Sequence, residues 1–288
     1  MNTRIDETLL IQNAYQEALR FTKSHYENFP VVSLFLPKHL QKHVAVVYKF
    51  AREADDYADE GKISTSERLS LLNEHEKYLN ESLTGLYHDD FWHALSNTIL
   101  ECDLTTQNFL KLLSAFKQDV IKKTYNTYEE VLDYCERSAN PVGRIILELF
   151  SVKNDELFSY SDSICTALQL TNFYQDVSID IIKERIYLPL NDIQKFNIRL
   201  EQFQSKEFNQ NFKLLMKYEI NRTRELFQRG SKLIPYLPDN LKKQIKMTIM
   251  GGEKILDKIA SLDYDVLNSR PRLSKFNYAA IFLKSVTV

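Results

Sequence analysis

An all-α fold is the architecture this sequence predicts, and three observations predict it. Only six glycines and seven prolines occur in 288 residues, so few positions interrupt a helix. Apolar residues recur at helical spacing over long stretches, whereas strand-like alternation is scarce. Residues that start helices, such as Pro37, Ser64 and Thr105, stand at the heads of those stretches.

The elements follow in order. A first helix is expected from Leu9 to Tyr26 and a second from Lys38 to Glu60, with Pro37 suited to its first position and Gly61 to its end. Ser64 or Ser66 can cap a helix through Leu83, and Thr105 or Thr106 one through Lys122. The stretch from Tyr128 to Phe150 should kink or break at Pro141 and Gly143, because proline lacks an N–H and clashes with the preceding turn. The longest candidate runs from Asp155 to about Lys183 and ends before Pro189. Two more are expected, Lys206 to Leu233 and Asn240 to Ala260, followed by a short tail from Ser274. No repeat, low-complexity linker or composition shift marks a boundary, so residues 1–288 are expected to form a single all-α domain.

Composition narrows the function. Apolar residues at 44% suffice for a substantial core. A formal net charge of -2 provides no broad basic field, so no nucleic acid partner is expected. Cys102, Cys135 and Cys165 form no CxxC pair and read as free thiols of a reducing compartment. Met1 to Arg20 has no apolar core of signal-peptide type, and no stretch reaches the roughly twenty apolar residues of a membrane span. The expected location is the cytoplasm, with room for peripheral contact at the inner face of the membrane. His39, His43, His75, His88 and His93 share no ligand spacing with a carboxylate motif and are expected at the surface. No GxGxxG follows a strand, which argues against a Rossmann dinucleotide site.

Two acidic segments carry the chemistry. Asp55, Asp56 and Asp59 lie in one helical stretch; Asn172, Asp176 and Asp180 lie in another. Positions four apart share a helix face, about 5–6 Å apart at Cβ, so like charges are crowded twice. An acidic helix face is commonly just solvated, but two such faces beside apolar stretches can build one metal site across a bundle. A hard divalent cation, Mg²⁺, offsets the repulsion and leaves coordination positions for water or phosphate. Arg52 stands one turn before Asp55 and Asp56, and Lys183 and Arg185 follow Asp180. Arginine grips phosphate through two donors at once.

These segments resemble motifs of the squalene and phytoene synthases, head-to-head prenyl transferases of the all-α isoprenoid synthase fold. The resemblance covers about His25 to Ser274: Tyr48 to Glu60 for the first acidic motif, Gln169 to Asp180 and Arg185 to Pro189 for the second, and Tyr134 to Gly143 for the YCxxSAxPVG segment between them. Within the family, His25 to Ser33, Gly251-Gly252, Tyr264-Asp265-Val266 and Arg270 to Ser274 resemble the hydroxysqualene synthases of bacterial hopanoid pathways. One departure is visible: the relatives' Lys-Gly-Arg reads Lys183-Glu184-Arg185.

The resemblance implies a helical bundle with a central active-site cavity. It also implies Mg²⁺-assisted ionisation of presqualene diphosphate, rearrangement of the cation and capture of water to give hydroxysqualene without NADPH. Asp55, Asp56, Asp59, Asn172, Asp176 and Asp180 would hold the metal. Arg52, Tyr48, Phe29, Gln169, Arg185, Arg272 and Lys183 would bind substrate. Tyr134 and Asn28 would join the aspartates in catalysis, although Asn28 is as well suited to capping a helix. Aromatics near the motifs, Phe29, Phe50, Tyr57, Tyr134, Phe173 and Tyr174, can face a cation but are as a class ordinary core residues. Two alternatives stand beside this expectation. One is a synthase that condenses two farnesyl diphosphates to presqualene diphosphate, squalene or a phytoene-type product; the other is a non-catalytic assembly factor of the same fold.

Overall fold

The structure, a computed structural model, describes residues 2–24 and 36–286. Its secondary structure there is helical apart from one isolated bridge between Thr124 and Ile186. In chain order the α-helices are α1 Asn2–Ser24, α2 Lys38–Asp59, α3 Thr65–Ser82, α4 Asp90–Glu101, α5 Thr106–Ile121, α6 Tyr128–Ser138, α7 Asn140–Leu149, α8 Asp155–Asp180, α9 Leu190–Lys195, α10 Leu200–Gln204, α11 Gln210–Gly230, α12 Asp239–Ser261 and α13 Lys275–Val286.

The local signals act as the sequence suggests at most boundaries. Ser64 and Glu67 form a reciprocal capping box at the head of α3, with Glu67 N donating to Ser64 Oγ at 3.3 Å and Ser64 N to Glu67 Oε2 at 2.7 Å. The expected break after Tyr128 falls between Ser138 and Asn140, dividing α6 from α7. Gly143 permits close approach there: a Cβ would lie 2.4 Å from Ser161 Oγ and 2.5 Å from Cys165 Sγ.

Three expectations change. The helices α4, α9 and α10 fall where none was expected; Asp89 caps α4, accepting from the Phe91 and Trp92 amides at 2.9 and 3.2 Å. The tail from Ser274 is the helix α13, started by Ser274 and Asn277 bonding each other's backbone amides. His43 and His75 are buried at 3% exposure each, not at the surface. His75 Nε2 lies 3.2 Å from the Phe50 carbonyl, and burial lowers its pKa to about 4.

The chain forms two compact units, one of Met1–Ile121 with Arg144–Lys153, the other of Lys122–Gly143 with Asn154–Val288. In the first, α2 buries Leu40, Val44, Phe50, Ala54 and Ala58. The Phe50 ring meets Trp92 and Phe109 edge-on at centroid distances of 6.1 and 5.4 Å. Burying such a side chain contributes about 1.5–3 kcal/mol, which fixes which side of α2 faces solvent. In the second unit, α8 buries Leu170, Phe173, Tyr174 and Val177.

Candidate functional site

The rotation of α2 follows from its alanines. Ala54 and Ala58 are buried at 0% and 4% exposure, so Asp55 and Asp59, each one position on, emerge at the edge of the packed face. Tyr48 and Arg52 share that edge at helical spacing. Arg52 Nη2 pairs with Asp56 Oδ1 at 2.6 Å and Nη1 with Asp55 Oδ2 at 3.5 Å. Partial desolvation, opposed by Arg52 and reinforced by Asp59 and Asp56, raises the Asp55 pKa above the usual carboxylate range. Burial, opposed by Arg52, likewise raises that of Tyr48.

The acidic face of α8 is held differently. Asp176 accepts a two-pronged ion pair from Arg270, Nε to Oδ1 at 2.5 Å and Nη2 to Oδ2 at 3.1 Å. Gln175 Nε2 donates to the carbonyl of Pro271 at 2.7 Å, so residues 270 and 271 lie along this stretch of α8. Arg272, the arginine the sequence favoured, is exposed, while Arg270 is half-buried on the aspartate. The motif around Arg270-Pro271-Arg272 was the available signal; spacing alone could not say which arginine turns inward. Asn172 is exposed, and Gln169 and Asp180 are half-buried.

After α8 the chain takes one 3₁₀ turn, Ile181–Lys183, and reverses at Glu184. Glu184 adopts φ 59°, ψ 26°, the left-handed region that favours glycine. The glycine of the pattern that the segment resembles would be unstrained there, whereas the glutamate costs about 1–2 kcal/mol. The reversal brings the Arg185 amide onto the Asp180 carbonyl at 2.9 Å. Phe173, Val177, Asp180, Arg185 and Tyr187 help to line a cavity of about 10 Å³, room for roughly one water. Lys183 is exposed.

Tyr134 is buried, with 4% exposure. Its ring lies 5.9 Å from that of Phe173 and 6.0 Å from that of Tyr187; Phe173 and Tyr187 stack at 3.7 Å. Behind α8 lies a buried ionic cluster the sequence did not disclose. Tyr174 Oη donates to Glu219 Oε2 at 2.6 Å, and Arg222 pairs with Glu219 and, at 3.0 Å, with Asp192. The Arg222 guanidinium also lies 3.5 Å from the Tyr128 ring centroid. Burial pushes the Glu219 pKa up to about 7, against the pull of Arg222 and the Tyr174 hydrogen bond.

The α2 motif belongs to the first unit and the α8 motif to the second. Their donors are carboxylate and amide oxygens, the set that suits a hard divalent cation. Among the described residues no three His, Cys, Asp or Glu side chains are already gathered into a metal-binding cluster. Each motif instead has an arginine on at least one carboxylate. Asn28 and Phe29 lie outside the described residues.

Comparisons with known proteins converge on one family. The squalene/phytoene synthase family matches residues 22–277. Hydroxysqualene synthase of Zymomonas mobilis is 35% identical over 184 residues, 60% of this chain and 58% of that protein. The 15-cis-phytoene synthase of Synechococcus elongatus is 24% identical over 272 residues, 90% of this chain and 88% of its own length. The crystal structure of squalene synthase HpnC from Alicyclobacillus acidocaldarius aligns with a TM-score of 0.84 at 37% identity, covering 88% of this chain and 95% of that one. The matched span contains both acidic helices, the Tyr134 segment and Arg270, and the chain therefore belongs to the squalene/phytoene synthase family.

Proposed function

We propose that this chain is a hydroxysqualene synthase, converting presqualene diphosphate and water to hydroxysqualene and diphosphate. The observation that carries the reading is the likeness to the squalene synthase HpnC, 37% identity over 88% of this chain, with 35% over 60% of it to the hydroxysqualene synthase of Zymomonas mobilis. The phytoene synthase is 24% identical over 90% of the chain, and a second hydroxysqualene synthase, of Sinorhizobium fredii, 26% over 82%. In the reaction the C–O bond to diphosphate breaks and its electron pair leaves with the diphosphate. The cyclopropylcarbinyl cation rearranges, and a water oxygen bonds to carbon and loses a proton. No redox partner is required.

The oxygen donors of each acidic helix, Asp55, Asp56 and Asp59 in the first unit and Asn172, Asp176 and Asp180 in the second, suit Mg²⁺, which when bound would supply electrostatic stabilisation of the leaving diphosphate. Arg52 and Arg270 already neutralise carboxylates, and diphosphate oxygens can recruit the same guanidinium donors. The packed rings of Tyr134, Phe173 and Tyr187 suit a wall that excludes bulk water from a cation. The enzyme works in the cytoplasm as a peripheral partner of the inner membrane face, where its lipid substrate resides. No described helix is long and apolar enough to cross a membrane.

The test supplies purified protein and Mg²⁺ separately with presqualene diphosphate and farnesyl diphosphate, with and without NADPH, and identifies products by gas chromatography. Hydroxysqualene from presqualene diphosphate without NADPH, its oxygen drawn from labelled water, is expected. The phytoene synthase match over 90% of the chain favours a second reading, condensation of two prenyl diphosphates. Consumption of farnesyl diphosphate with presqualene diphosphate untouched would select it.

A further inference from the structure

The end of α2 is where that helix is least able to hold itself. The carboxylates of Glu53, Asp55, Asp56, Asp59 and Glu60 crowd this end, and no basic residue follows Arg52 within the helix. The carbonyls of a final helical turn lack intrahelical donors and carry the negative end of the helix dipole. Carboxylates placed there repel one another and that end as well, so the turn that carries Asp59 would fray unsupported.

Support comes from outside the helix, from Arg68 on α3. Its Nη1 donates to the carbonyls of Tyr57 at 3.0 Å and Glu60 at 2.9 Å, and its Nη2 to that of Gly61 at 2.8 Å. These carbonyls bracket Asp59 in the chain. The Glu60 amide closes the same turn on the Asp56 carbonyl at 2.9 Å. Arg68 is seated in turn by the head of α3: its own amide donates to the Ser64 carbonyl at 3.0 Å, and Ser64 is held by its reciprocal bonds with Glu67. The half-buried guanidinium thus brings to the end of α2 the positive charge and the donors that the helix itself lacks. All of these residues belong to the first unit. Asp59 shares a face with Asp55 only while this turn keeps helical geometry, so what fixes the turn fixes the spacing of the carboxylates offered to a cation.

We propose that Arg68 is a positioning residue for Mg²⁺ on α2, acting through the turn that carries Asp59 and not by contact with metal or substrate. The proposal rests on the Mg²⁺ reading given above, not on the product. Loss of Arg68 has two opposed effects: a nearby cation disappears, which favours metal binding, and the turn loosens, which disfavours it. The second prevails, because three bonds fix the backbone while the charge of a half-exposed guanidinium is screened by salt and water.

The test is hydrogen exchange, read by mass spectrometry on full-length wild type, Arg68→Met and Arg68→Lys in inorganic diphosphate, as Mg²⁺ is titrated upward from EDTA. In EDTA the segment 53–62 should exchange faster in Arg68→Met than in wild type, while α4 and α5 keep their protection. Mg²⁺ should slow this segment in both proteins, with the half-saturating concentration raised about tenfold in Arg68→Met. The rise should be smaller in Arg68→Lys, which keeps the charge without the planar fork. An unchanged or lowered half-saturating concentration in Arg68→Met would overturn the proposal, a lowered one marking Arg68 as a competing charge only. Equal loss of protection in α4 and α5 would overturn it as well, since Arg68 would then support the whole unit. If Mg²⁺ leaves the segment 53–62 of wild type unchanged, the metal reading of α2 falls and the role of Arg68 with it. A wrong product assignment touches neither, because no measurement here needs turnover.

Discussion

The two acidic helices solve one electrostatic problem by different means. On α2 the counter-charge is local: Arg52 reaches Asp55 and Asp56 from three and four residues away. On α8 it is remote: Arg270 reaches Asp176 from 94 residues away. The helix behind Asp176 is further anchored through Tyr174 to Glu219 and Arg222, a pair that solvent scarcely touches. A local pair survives most changes elsewhere in the chain, whereas a remote one reports on tertiary packing.

The largest effect should leave the two helices alike. With Mg²⁺ and presqualene diphosphate, Asp55→Asn and Asp176→Asn should each lower turnover by about 10²–10³-fold, measured as diphosphate release. Without metal they should part. Asp55→Asn removes a repelling neighbour of Asp59 and should be neutral or slightly stabilising, whereas Asp176→Asn loses the two-pronged pair and should lower the melting temperature in EDTA. Full activity in either variant would remove that aspartate from the site.

Next in size is the contrast in the supporting charges. Arg222→Met strands Glu219, whose side chain is 0% exposed, and should cost about 3–5 kcal/mol in urea unfolding. Arg52→Met breaks a pair whose side chains are 25% and 33% exposed and should cost less than about 1 kcal/mol. Both pairs are local in the chain, so equal losses would mean that burial does not set the difference between them.

Acidity should affect the units in opposite directions. Burial lowers the His75 pKa from 6.5 to about 4. The stability it contributes is therefore present above pH 6.5 and lost as pH falls toward 4. Burial raises Glu219 from 4.5 to about 7, so its contribution is present below pH 4.5 and lost as pH rises through 7. Hydrogen exchange between pH 5 and 8 should show protection of α2 rising with pH and that of α11 falling. Parallel trends would mean that other groups dominate. Glu219→Gln should flatten the second trend.

The smallest expected effect is Glu184→Gly. Relief of the left-handed strain should raise stability by about 1 kcal/mol, seen as a higher urea midpoint with an unchanged slope. No gain would mean that the Glu184 side chain contributes enough to offset its backbone.

The sequence by itself determined the helical architecture, most helix boundaries and the two acidic faces, because these depend on interactions within a few residues: capping, i to i+4 spacing and the scarcity of chain breakers. The break near Pro141 and the capping box at Ser64 are of that kind. The helix α4 was also legible, in Asp89 before a run of Phe91, Trp92, Leu95 and Ile99, although a short helix without a long apolar repeat is easily read as loop. Only the tertiary structure could decide that Arg270 rather than Arg272 turns onto Asp176, that His75 lies under Phe50, and that Tyr174, Glu219 and Arg222 meet behind α8. Each joins residues 25 to 94 positions apart, and which partners meet across such distances is set by the packing of whole helices, about which a residue's near neighbours in the chain carry no information.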